Sequence, residues 1–592
     1  MSVDKQTIAR VACVLAALSG SKAILAADDI LVSDVIVDSP TICCLGFSVP
    51  IAGDDDYDAV ATIEYREASS STWSNGLPLL RVRPELTSGE SPPGAYGLPV
   101  PAEQFAGSVF GLSPSTDYEV RMSVSDPDGG DHVQTVVVTT KDLPRADPAS
   151  PRTVPVTSSS ELSSAISLAQ AGDVIELAAG TYPGSITINV DGTQSNPIII
   201  RGASADSVTL DAAGSTYGVS LLGEHIYLEH VTVTGSTWGA RTTNTQGTVI
   251  RHSRFVGVER GIYAKSGTNR NFYICDNVLE GEHAWPKTDS STWNDEGITV
   301  SGEGHTVCFN TLSGFGDALG LANDTSIPNI AIDFYGNEVL WTGDDGIELD
   351  FAHRNVRAFE NRVTNAAMGA SLQPAWGGPV YIFKNVFLNI VASAYKLNND
   401  PSGFYIFHNT SARTLGTGNW GAFAFTSLGY TQSDGDPAHA GNFEMKNNIL
   451  IGLTEPAYVT TDLILADIDY NGWSPDGAFR FVDNWVNFAD LQGNSPYELN
   501  GRILNSAIFA TPIELPPDYT TFWSATDVTL DQDSMALDAA LPLPNINDGY
   551  AGSAPDLGAI EFGEPMPSYG VRPSQAPPDT MPPAAPQNVL VE

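Results

Sequence analysis

Positive charge is what this chain lacks most. Its 592 residues hold 28 Lys and Arg against 70 Asp and Glu, a formal net charge of −42. A nucleic-acid partner is excluded on that ground, because no basic footprint exists to hold a phosphate backbone. Cysteine is scarce as well: five residues, at spacings that suit no zinc site. Beyond the N-terminus no apolar run is long enough to span a membrane as a helix. These absences leave a soluble secreted protein suited to salt or to calcium. A polyanionic substrate would be repelled at long range unless salt or a bound cation intervened.

The first 27 residues read as a secretory signal. Lys5 and Arg10 precede the apolar core VACVLAALSG, and Ala23, Ala26 and Ala27 offer small residues for cleavage. The protein is therefore expected outside the cell, free or held at the surface by further modules. Residues 28–142 show short strands with turn signals between them, as in ATIEYRE and VQTVVVTTK. Within them LSPSTDYEVRMSVSD resembles a late strand pair of a fibronectin type III domain, with Tyr118 as the candidate corner tyrosine. DPDGGD at 126–131 reads as a hairpin turn that could hold calcium. A Pro-rich linker covers 143–152.

What is abundant lies in the middle of the chain. Asn277, Asn310, Asn337, Asn361, Asn385, Asn409 and Asn447 each sit in one short phrase, among them ICDNVL, VCFNTL, FYGNEV and IFKNVF. Three successive gaps are 24 residues, and the others are 27, 33 and 38, which reads as one coil plus an inserted loop. Ser253 and His230 keep the register upstream. The phrases alternate apolar and polar residues, so the repeat is built of strands. The fold class is all-β: a right-handed parallel β-helix over 153–563, preceded by a small β-sandwich. The asparagines would stack as a ladder of amides at one bend. Cys275 and Cys308 hold the same place in successive coils, as a disulfide or as two buried thiols. SSSELSSAISLAQAG (158–172) reads as a capped helix with Ser160 at its N-cap and Leu162, Ile166 and Leu168 on its apolar side. That helix and the following phrase resemble the start of many secreted right-handed β-helix enzymes, and 534–563 resembles their closing segment. Residues 564–592 read as a Pro-rich linker and the start of a truncated further module.

A second strand follows each asparagine phrase. Alternation places Tyr263/Lys265, Thr299/Ser301, Gly320/Ala322, Glu348/Asp350, Ser371/Gln373, Lys396/Asn398 and Ala424/Thr426 on one outward face. Its middle carries carboxylates, an amide and one lysine. The densest cluster is TGDDGIELDFAHR, with Asp344, Asp345, Glu348 and Asp350, and Asp317 one coil earlier. Oxygen ligands from adjacent coils suit a hard cation such as Ca²⁺. An acidic solvated turn is the plain alternative. Softer candidates for substrate binding are Asp350, His353, Arg354, Gln373, Trp376 and Asn398. His283, Trp285 and Trp293 lie in an inserted loop that could wall the cleft.

At these residues the chain resembles the family-nine polysaccharide lyases, over roughly 310–410. That family pairs an Asp on one coil with an Asp-Asp-Gly-x-Asp phrase on the next to ligate Ca²⁺, and uses a Lys in a Phe-Lys-Leu phrase as its base. Here Asp317 matches the first Asp and Asp344-Asp345-Gly346-Ile347-Glu348 the second phrase, with Glu for the final Asp. Tyr395-Lys396-Leu397 matches the third, two coils after Glu348. The resemblance implies Ca²⁺ on Asp317, Asp344, Asp345 and Glu348, with Lys396 as catalytic base, in a secreted lyase that cleaves a pectate-like or alginate-like polysaccharide by β-elimination. A monomer is expected. Three other readings compete. Asp317, Asp344 and Asp345 could serve a polygalacturonase-like hydrolase, although GASLQP stands where a Gly-His-Gly phrase would follow. A uronan C5-epimerase shares the proton-abstraction step. A non-catalytic glycan-binding adhesin would use the same face without chemistry.

Overall fold

The computed structural model describes residues 28–87, 100–264, 267–287, 295–322, 327–414, 426–427, 439–452, 456–459, 462–481, 483–514 and 521–573. Residues 1–27, expected as a signal segment, Lys265, Trp293, Ala424 and residues 574–592 lie outside the described residues.

The fold is all-β, with a parallel β-solenoid of about 12 turns and a small N-terminal sheet region. Thirteen strands, from Arg152–Val156 to Asp462–Asp469, form one parallel sheet, and a second sheet of 22 strands makes the other walls. The two-residue alternation of each phrase decides which side chains turn inward. Ala358, Ile382 and Ile406 stack in register inside the coil. Their neighbours Phe359, Phe383 and Phe407 stack on the outer side.

The asparagine ladder forms one corner. Asn361 Oδ1 accepts from both the backbone N–H (3.1 Å) and Nδ2 (2.9 Å) of Asn337, one coil before. Its own Nδ2 donates to Phe334 O and to Asn385 Oδ1. Every polar atom of a fully buried amide is thereby used. The residue just before each rung has φ in the left-handed region, as at Asp276, Phe309, Gly336, Glu360, Lys384 and His408. That requirement corrects the register at both ends. Asn447 takes the left-handed position, and Asn448 is the rung that accepts from Asn409. His230 is likewise left-handed, while Ser253 keeps its place by donating its N–H to Asn277 Oδ1. The ladder continues through Asn471 and ends on Glu498, whose carboxyl accepts from Asn471 N and Nδ2.

Both ends of the stack are covered. The helix Ser159–Ser167 sits over the first coil, with Leu162 in the core. Its N-cap is Ser158, not Ser160: the Ser158 hydroxyl accepts from Glu161 N, and Glu161 reaches back to Thr157 N. Leu168 falls after the helix and is 71% exposed. The far end is closed by the helix Phe488–Asn494, which buries Phe488 and Leu491 in the core. Residues 534–563 do not close that end. The described residues 505–514 and 521–573 instead lie back along the flank. Gly558 N donates to Asn447 O, Gly570 N to Gly336 O, and Arg572 pairs with Asp276. His408 is clamped within this strap: its Nδ1 faces Gly558 O, and Asn447 and Asn547 amides donate to Nε2. Burial, then Lys384, pushes its pKa down to about 3, so it is neutral.

The described residues between 28 and 142 form two antiparallel sheets with a core of their own, one built on Leu45–Gly53 and Gln104–Val109, the other on Val60–Glu67, Asp117–Ser125 and His132–Thr139. Tyr118 Oη accepts from Ser113 N at 2.9 Å. This region lies along the thirteen-stranded sheet. Phe110 meets Tyr381 and Phe383 edge-on, and the fully buried Arg357 joins Asp333 to Ser108. Cys275 and Cys308 face each other as two buried thiols, Sγ to Sγ 2.8 Å.

Candidate functional site

The strands that follow the ladder build a column of aligned residues. Backbone pairing aligns Tyr263, Thr299, Gly320, Glu348, Ser371 and Lys396 on successive coils. Lys396 then pairs with Thr426, two residues beyond the expected Ala424. The inserted loop before that strand has a length no periodicity fixes. Gly320 is small for a reason: a Cβ there would lie 3.1 Å from Glu348 Oε2.

A second column runs beside it and begins one coil after Tyr263. Glu296 pairs with Asp317, and Asp345 N donates to Asp317 Oδ1 at 3.1 Å. Oxygens of Asp317, Asp344 and Asp345 all lie within 4.8 Å of one another. Glu348, expected as a fourth ligand, stands outside this trio and leans over Gly320. Lys396 lies two coils beyond Glu348 by strand pairing. Its extended side chain covers that gap, and Nζ reaches Asp345 Oδ2 at 2.5 Å.

The electrostatics are severe. Burial first, then the neighbouring carboxylates, push Asp317 and Glu348 well above the usual carboxylate range. Burial also raises Asp345, to about 7, against the pull of Lys396. Burial would depress the Lys396 ammonium, but Asp345, Asp344 and Asp350 outweigh it and hold it above the ordinary lysine range. One lysine thus faces more carboxyls than it can neutralise. Asp345 Oδ1 is buried with no hydrogen-bond partner. An all-oxygen donor set from two coils, with an orphaned carboxylate oxygen, fits a hard divalent cation.

The other expected residues divide. Asp350 accepts from the Ser371 hydroxyl at 2.7 Å, and Asn398 Nδ2 donates to Gln373 Oε1 at 2.9 Å. These three lie beside Lys396. Arg354 does not face the cleft: it pairs with Asp38 of the N-terminal region. His353 is buried where Asn329 N meets its Nδ1, and its pKa is pushed to about 3 by burial. Trp376 is buried in the thirteen-stranded sheet. No periodicity announces the Arg354 contact, because its partner lies 316 positions away in the chain.

Two acids escaped the sequence reading. Glu296 accepts from the Thr299 hydroxyl at 2.8 Å, and buried Asp295 meets His283 Nε2 at 2.9 Å. The signal was present: the phrase Asp295-Glu296-Gly297 repeats as Asp344-Asp345-Gly346 two coils later.

No protein-family profile and no curated protein matches the chain. Several solved structures show a partial likeness to it. Pectate lyase Pel9A is 18% identical, over 71% of this chain and 99% of that one, with a TM-score of 0.40. The family PL6 alginate lyase AlyGC is 14% identical, over 54% and 48%, at 0.38. A family 28 exopolygalacturonase from Yersinia enterocolitica is 12% identical, over 74% and 99%, at 0.33. At such identities the likeness concerns the fold alone, a β-solenoid.

Proposed function

We propose that the protein is a secreted, calcium-dependent polysaccharide lyase that cleaves a uronic-acid polymer by β-elimination. The observation that carries the reading is the contact of Lys396 Nζ with Asp345, at the edge of the three-aspartate cluster. β-Elimination needs a base for the C5 proton and positive charge for the adjoining carboxylate. Asp317, Asp344 and Asp345 would hold Ca²⁺, which when bound supplies that positive charge and takes over from Lys396 as counterion to the aspartates. Lys396 is the group placed to take the C5 proton. Ser371 orients Asp350 beside it, and the Gln373–Asn398 pair lines the wall where the next sugar unit would lie. Glu348 and Glu296 flank the same column. The hydrolase reading uses the aspartates but leaves the lysine idle, so the Lys396 contact favours the lyase.

Pectate, alginate and other uronans are incubated with the protein, with and without EDTA, and followed in the ultraviolet. An unsaturated uronide appearing only without EDTA is the expected result. New reducing ends without that absorbance mean a hydrolase, inverted C5 centres without cleavage an epimerase, and binding without product an adhesin.

A further inference from the structure

A second acidic cluster lies far along the chain from the solenoid site, at one end of the N-terminal sandwich. Two loops make it. The first, residues 54–59, joins the strands Leu45–Gly53 and Val60–Glu67. The second, residues 126–131, joins Asp117–Ser125 to His132–Thr139. Val60 pairs with Ser125, so the two loops leave neighbouring strands side by side.

Within the first loop Asp54 is fully buried and already engaged. It pairs with Arg81, and its Oδ1 accepts from the backbone N–H of Asp58 and Ala59. It shapes the loop. The remaining acids converge: oxygens of Asp58, Asp126 and Asp128 lie within 4.8 Å of one another, and Asp54, Asp56 and Asp58 form a second such trio sharing Asp58. A cluster alone would be an ordinary solvated acidic surface. Asp126 makes it otherwise. It is 5% exposed, and its Oδ1 accepts from Asp128 N. Its Oδ2 is buried with no hydrogen-bond partner. A buried carboxylate oxygen aimed at two further carboxylates, and paired with nothing, is a costly arrangement that a cation relieves.

We propose that this end of the sandwich is a Ca²⁺ site separate from the solenoid cluster, with Asp58, Asp126 and Asp128 as carboxylate ligands and Asp56 beside them. The donors are all oxygens with no histidine or thiol, which selects a hard cation, and loop-borne carboxylates suit the flexible coordination of Ca²⁺ over the strict octahedron of Mg²⁺. The cation would tie the two loops together. Gly129 O of the second loop also accepts from Ile30 N, so the first strand of the described chain is fastened to the same point.

The full chain is titrated with CaCl₂ by calorimetry, as the parent and as Asp58→Asn/Asp128→Asn, both exposed positions where the change does not disturb the core. The double variant is expected to bind one Ca²⁺ fewer per chain. Asp126→Asn, nearly isosteric, is expected to do the same; if it does not fold, the exposed double variant decides alone. An Asp344→Asn/Asp345→Asn chain separates the two sites: it is expected to keep the Ca²⁺ that the sandwich variants lose, and that result stands even if the solenoid cluster proves to bind none. Equal Ca²⁺ stoichiometry and affinity in the parent and the Asp58→Asn/Asp128→Asn chain would overturn the proposal.

Discussion

Lys396 concentrates the functional argument on a single side chain. It is nearly buried, with an ion pair as its anchor, and the carboxylates around it hold its proton in place. In the proposed role it would have to give that proton up, so turnover should rise with pH in the presence of calcium. Lys396→Ala should lower turnover by about 10²–10⁴-fold, the usual worth of a positioned base. Lys396→Arg should be almost as poor, because a guanidinium does not deprotonate at working pH. Calcium affinity, read by calorimetry, should survive both changes. Wild-type elimination rates in Lys396→Ala would remove the lysine from the mechanism. The aspartate cluster and this lysine were both legible in the sequence, since alternation fixed the face and the phrase spacing fixed the coils. Arg354 was not, because its partner Asp38 comes from the N-terminal region rather than from a neighbouring coil.

The ladder is the element that keeps the coils in register, and its end is its weak point. Each rung gives one carbonyl oxygen to two donors of the coil before, as Asn385 does for Asn361. Glu498 ends the series with a carboxyl in full burial, and desolvation raises its pKa to about 8. A raised carboxyl is protonated in the folded chain. Its contribution to stability is therefore complete below its ordinary value of about 4.5, and is lost as pH rises through about 8. The loss is worth ~1.4 kcal/mol for each pKa unit between the two values. Glu498→Gln removes the charge and keeps an oxygen that accepts from one of the two Asn471 donors. Denaturant unfolding at pH 5 and pH 8.5 should show the parent weakening relative to Glu498→Gln at the higher pH; parallel behaviour of the two proteins would show that the carboxyl does not titrate there. The repeat made the ladder readable from sequence down to a single residue. The ambiguity between Asn447 and Asn448 was invisible there, because only the left-handed backbone before each rung tells two adjacent asparagines apart.

The whole molecule is a stack with a splint. Solenoid coils touch only their neighbours, so such proteins tend to lose structure from the ends. Here the described residues 521–573 pass back over the coils between Asn447 and Asp276 and are fastened at both limits, by His408 and Asn547 at one and by Arg572 at the other. The parent should melt in one transition. Arg572→Ala leaves the carboxylate of Asp276, which is 3% exposed, without its partner, at a cost of about 3 kcal/mol. Combined with Asn547→Ala it should let the last coils open first, seen by hydrogen exchange as faster exchange after residue 447 than before it. Uniform exchange in that variant would mean that the strap only decorates the flank. In a medium full of proteases such a fastening changes what limits survival. A stack that frays offers cleavable ends many times before it unfolds; one bound along its side offers them only when the entire structure opens, so its lifetime is set by a single rare event.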